Sequence, residues 1–231
     1  MEIGAMVETL LGVEDEAWGR YAFSRDLLNR RIGHDAREDM IAKAMACGRE
    51  YAVRMSRETG CNSVKELAEH LNLKVTAHEG YRMGDSVWLA RYTPPDGIEI
   101  MEEPVRKAVS LAAAAGGASF ELFRQDDIMN IILGHEIFHY IEDRFEQEIY
   151  TRTEKLLLWN FLGYRYYSTI RALGEIAAAA FTQEMNRLHY SPFLLDVLLY
   201  FSYDPSSAET IYRDVLGASS GRCRETVEDY K

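Results

Sequence analysis

The residues best suited to chemistry are His135-Glu136-Ile137-Phe138-His139, an H-E-x-x-H pattern inside the apolar stretch Ile128 to Ile141. On a helix, residues four apart share a face, so both imidazoles can reach one metal ion while Glu136 stands beside it. Imidazole nitrogens bind zinc at about 2.0–2.1 Å, and a hydrolytic site adds a third protein ligand and an open position for water. The metal lowers the pKa of that water, and the adjacent glutamate takes its proton as general base. His135 and His139 are therefore expected as metal ligands and Glu136 as the catalytic base. The competing reading is that ordinary hydrogen bonds satisfy both histidines while Glu136 faces solvent. The apolar setting argues against it, because buried ionisable groups need a partner.

One straight helix cannot easily surround a tetrahedral ion, so the third ligand must come from elsewhere. A metzincin arrangement would place glycine three residues and histidine six residues after His139, where Glu142 and Phe145 stand. Carboxylates remain. Glu175 heads Gly174-Glu175-Ile176-Ala177-Ala178-Ala179-Ala180-Phe181, whose small side chains would let a second helix approach the first closely. Glu142, Asp143, Glu146 and Glu154 are the alternatives, although Glu142 shares the helix of both histidines and is better suited to brace one of them. His34, His70, His78 and His189 are scattered without ligand spacing, and none of the 14 tyrosines is singled out as an oxyanion partner.

Several elements must position these groups. Apolar spacing of three and four predicts helices over Glu14–Asn29 and Asp35–Glu58, and Ser63 with Glu66 forms a capping box for a short third one. Leu73–Val75 reads as a strand. Val87–Tyr92 and Ile98–Met101 read as a hairpin across Thr93-Pro94-Pro95-Asp96-Gly97. Glu102-Glu103 before Pro104 reads as a helix start, with helix to Ala115, and Ser119–Phe123 as an extended piece. From Asp126 onward the pattern reads as mostly helical, with Asp126 or Asp127 as N-cap. The fold class expected is α+β, mainly helical with a small antiparallel or mixed sheet. Residues 1–60 are expected as a helical region packed on the core, and 217–231 as a frayed tail.

The 231 residues, 47% hydrophobic and 27% charged, have the composition of a globular protein. A net charge of −11 repels a phosphate backbone, so direct nucleic-acid binding is not expected. Three separated cysteines without a C-x-x-C pair fit a reducing compartment. The N-terminus lacks a secretion signal's charge pattern, and Phe193–Phe201 is too short to span a bilayer. A cytoplasmic protein without membrane contact is expected.

Three stretches together resemble the ImmA/IrrE family of compact gluzincin-type metallopeptidases. They are Ser63–Val75, Leu133–Glu142, and Gly174–Phe181, where Glu175, Ala178 and Phe181 match the first, fourth and seventh positions of E-x-x-A-x-x-F-A. The resemblance implies a minimal zincin-like metallopeptidase domain over residues 61–216, with one Zn2+ per chain held by His135, His139 and Glu175 and with Glu136 as catalytic base. It further implies hydrolysis of a peptide bond in a protein or peptide substrate, such as a transcriptional repressor or similar regulator. The strand Ile98–Met101 is the candidate edge for aligning that peptide by strand addition. The alternative is a catalytically inactive protein-binding or sensor module on the same fold.

Overall fold

The computed structural model describes residues 2–79, 82–83, 86–87 and 89–220. Helices α1 (Ile3–Leu10), α2 (Asp15–Ser24), α3 (His34–Thr59) and α4 (Val64–His70) come first. The strands β1 (Lys74–His78), β2 (Arg82–Met83), β3 (Ser86–Val87), β4 (Ala90–Thr93) and β5 (Gly97–Met101) follow. The chain continues through α5 (Glu102–Ala115), α6 (Gly117–Leu122), α7 (Gln125–Arg144), α8 (Tyr150–Thr153), β6 (Lys155–Phe161), β7 (Tyr164–Thr169), α9 (Arg171–Asn186), α10 (Leu194–Tyr203) and α11 (Pro205–Ser219). The architecture is the expected mainly helical α+β fold. Among the described residues no helix is long and apolar enough to cross a membrane.

The α3 helix follows its apolar spacing, burying Ile41, Ala44, Met45, Tyr51, Ala52 and Met55, and it stops where Gly60 takes a left-handed conformation at φ 77°. The capping box at α4 forms: the Glu66 amide donates to Ser63 Oγ at 3.2 Å, and Glu66 Oε2 accepts from the Asn62 amide at 2.8 Å. Three strands make one sheet in the order β1-β5-β4, with β1 parallel and β4 antiparallel to β5. The expected hairpin is present over Ala90–Thr93 and Gly97–Met101, pairing Thr93 with Gly97 and Ala90 with Ile100, whereas Val87, expected in the same strand, pairs with Arg82 of β2; Trp88 lies outside the described residues. Ile98–Met101 is not an edge. Its Ile98 and Ile100 are fully buried, so the strand belongs at the centre of the sheet, and β4 forms the edge beside α7.

Five other expectations are corrected. Residues 155–169 form an antiparallel hairpin, not helix, turning through Leu162 and Gly163 at φ 48° and 86°; Trp159, Phe161 and four tyrosines or threonines in this segment favour strand over helix. Ser119–Phe123 is largely helical, belonging to α6 up to Leu122. The N-cap of α7 is Arg124, and Asp126 and Asp127 occupy the first turn, where carboxylates favour the positive end of the helix dipole. Helix α2 ends at Ser24, because Asp26 accepts the Leu28 and Ala172 amides and turns the chain away. The end of α11 takes in Gly217–Ser219, and residues beyond 220 lie outside the described ones.

One apolar core runs from Ile3 to Val215. At its centre α9 lies against both α3 and α7. Its small face makes this possible: a side chain at Gly48 of α3 would strike the backbone of Ala177 and Phe181. Gly134 of α7 likewise leaves room for Thr182 of α9, which lies 3.1 Å from where a Cβ would stand. The close approach of these helices brings Glu175 to the histidines of α7.

Candidate metal centre

His135, Glu136 and His139 lie on α7, and Glu175 projects from the first turns of α9. His135 Nε2 is 3.0 Å from His139 Nε2 and 3.2 Å from Glu175 Oε2, and His139 Nε2 is 3.9 Å from Glu175 Oε1. Three ligand atoms thus converge within 4.8 Å of one another. Donors sharing a tetrahedral zinc at about 2.0–2.1 Å stand roughly 3.3 Å apart, so the observed spacings fit such an ion. Two neutral nitrogens and one carboxylate also suit zinc chemically.

The tautomer of His139 is set from behind. Its Nδ1–H donates to Glu142 Oε2 at 2.9 Å, leaving the Nε2 lone pair to face the cluster. Glu142 is itself buried and accepts from Thr151 Oγ1, with Arg152 Nη2 3.5 Å away. Burial alone would raise the Glu142 pKa, but the hydrogen bonds of His139 and Thr151 and the charge of Arg152 outweigh it and lower it. Gly174 permits the arrangement, since a Cβ there would come within 3.0 Å of Glu142 Oε1.

Charge at the cluster is strongly coupled. Burial works against a charged His135, yet the hydrogen bond and charge of Glu175 prevail and push its pKa up to about 9. For Glu175 burial raises the pKa, while the two histidines bring it down to about 2. Its side chain is half exposed, so the carboxylate that closes the cluster also borders solvent. Glu136 is buried next to the cluster, and its Oε2 accepts from the Tyr92 amide of β4 at 2.6 Å. Tyr92 is held by its hydroxyl, which donates to Pro95 O and Asp143 Oδ2, each at 3.2 Å.

The structure brings His135, Glu136, His139 and Glu175 together. It does not bring in the other carboxylates: Glu142 lies behind His139, Asp143 bonds Tyr92, Glu146 bonds Gln147, and Glu154 follows α8 away from the cluster. Among the described residues no other histidine joins it. Sequence reasoning missed Asp196 and Arg25, which line a hollow opening beside Glu175. Asp196 was visible only as a lone acid in the apolar run Phe193–Phe201, and that interruption was the available signal. No family model, curated protein or solved structure matches the chain.

Proposed function

We propose that this chain is a zinc-dependent metallopeptidase of the ImmA/IrrE kind, acting in the cytoplasm on a peptide bond of a protein substrate, such as a transcriptional regulator. The observation that carries the reading is the convergence of His135 Nε2, His139 Nε2 and a Glu175 oxygen from two helices, with Glu136 alongside. Bound zinc would supply Lewis acidity, lowering the pKa of a water molecule and polarising the scissile carbonyl. His135, His139 and Glu175 would hold the ion, and Glu142 would keep His139 in the ligating tautomer. Glu136 would take a proton from the water on Oε1, since Oε2 is engaged by the Tyr92 amide, and later pass it to the leaving amine. The edge strand β4 lies against α7 and offers a backbone edge for an extended peptide. Buried thiols at Cys47 and Cys61 are consistent with a reducing compartment.

A second reading, an inactive binding or sensor module, is favoured by one feature: the Tyr92 amide occupies one of the two oxygens a base would use. Metal content and turnover separate the two. About one zinc per chain, with cleavage abolished by a chelator and restored by zinc, is expected for the peptidase. Glu136→Gln should keep the metal and lose roughly 10²- to 10⁴-fold in rate. Zinc without turnover on any candidate regulator would favour the module, and no zinc after reconstitution would refute the peptidase reading and leave the module.

A further inference from the structure

A hollow of about 340 Å3 opens between α2, α9 and α10, and Glu175 forms part of its wall. That volume lies at the low end of ligand pockets and suits a single side chain better than a cofactor. Tyr21, Leu89, Phe193, Leu199 and Tyr200 make the hollow largely apolar and aromatic. Three charged groups face it: Glu175, Asp196 and Arg25.

These charges are differently satisfied. Arg25 Nη1 donates to the Tyr21 hydroxyl at 2.6 Å, and the guanidinium also lies over the Tyr21 ring and bonds Tyr200. Asp196 sits in the first turn of α10, where its neighbours Leu194, Leu195, Val197 and Leu198 enter the core. Among the described residues no side-chain hydrogen bond or ion pair reaches its carboxylate. Burial pushes its pKa up to about 6, outweighing the charges of His135 and Arg25, which lower it. A half-buried carboxylate that lacks a side-chain hydrogen-bond partner among the described residues, beneath aromatic walls and with Arg25 already engaged by Tyr21 and Tyr200, is the complement of an organic cation.

We propose that this hollow is a substrate pocket beside the metal centre that receives an ammonium or guanidinium group, with Asp196 as its partner. The shared chemistry has two sources, a lysine or arginine side chain next to the scissile bond or the α-ammonium of a peptide N-terminus. The assignment to a substrate rests on the metallopeptidase reading, whereas binding of the cation does not.

The test therefore has a binding arm and a turnover arm. In the first, Nα-acetyl-lysine amide, Nα-acetyl-norleucine amide, unacetylated norleucine amide and Nα-acetyl-glutamate amide are titrated into the zinc-reconstituted parent, with shifts followed by NMR. The lysine probe or the free-amine probe should bind roughly ten- to a hundredfold tighter than acetyl-norleucine amide, the preferred one identifying the source. Asp196→Asn should erase that preference with zinc content retained and no loss of thermal stability, and Asp196→Glu should restore part of it. In the second arm, quenched-fluorescence peptides differing only at the residue beside the cut should show the same preference in kcat/KM. Equal binding of lysine and norleucine probes would overturn the proposal. So would tightest binding of the glutamate probe, lost in Arg25→Ala, which would make the hollow an anion site. Absence of zinc would overturn the metallopeptidase reading alone, since the probe titration still decides the pocket.

Discussion

Replacing Gly48 with alanine tests whether the packing of α3 on α9 places Glu175. The new Cβ would overlap the Ala177 carbonyl oxygen and come within 2.9 Å of the Ala177 carbonyl carbon and the Phe181 nitrogen. All three are backbone atoms, so no side-chain rotation relieves the overlap and the two helices must separate by roughly 1 Å to reach van der Waals contact. Overpacking of this kind costs about 3 kcal/mol, at the upper end of its range, because the clash is with main chain. Removing a mid-helix glycine returns about 1 kcal/mol, leaving a net loss of about 2 kcal/mol. Glu175 precedes Ala177 on the same helix, so the separation would carry its carboxylate away from His135, now 3.2 Å distant. Urea unfolding paired with a zinc competition titration should show the stability loss together with at least roughly tenfold weaker zinc binding. Gly12→Ala, where the nearest atom is an ordinary 3.8 Å contact, is the control and should change neither. A Gly48→Ala protein as stable as the parent, with unchanged zinc affinity, would refute the claim.

Glu142→Gln removes the charge that holds His139 Nδ1–H and should weaken zinc binding roughly 10- to 100-fold without abolishing the fold, as a chelator titration would read. The Asp196 carboxyl, raised from 3.8 to about 6, binds a proton more readily in the folded chain than in the unfolded one, so its contribution to stability falls as pH rises from about 4 to 6. Asp196→Asn in chelator-treated protein should therefore gain up to about 3 kcal/mol over the parent at pH 7 relative to pH 4, and a pH-independent difference would contradict this. At the exposed β6–β7 turn, Leu162 holds φ 48°, which costs a leucine about 1 kcal/mol and suits asparagine. Leu162→Asn should raise stability by up to that amount in thermal melts.

How far the site was legible depends on range. The H-E-x-x-H spacing puts two imidazoles on one helix face by local geometry alone, and Ser63 with Glu66 specifies its own cap, so both could be read from neighbouring residues. The α3 helix was legible for the same reason, its apolar residues repeating at helical spacing over 26 residues. The segment 155–169 was misread because its long apolar and aromatic run lacks a clean alternation, with a register shift between Leu157 and Trp159 breaking the period of two. The edge strand was misassigned because the order β1-β5-β4 depends on a parallel pairing of residues far apart in sequence.

The sequence by itself determined the mainly helical class, the two histidines with their glutamate, and a short list of carboxylates for the third donor. Only the tertiary structure decided among those carboxylates. Gly48, Gly134 and the alanines of α9 let three helices approach until Glu175 stands 3.2 Å from His135, while Glu142 turns to the far side of His139. It also set Asp196 in the wall of the hollow that Glu175 borders. Both outcomes depend on which backbones can come close, which is a property of packed surfaces and not of spacing along one chain segment.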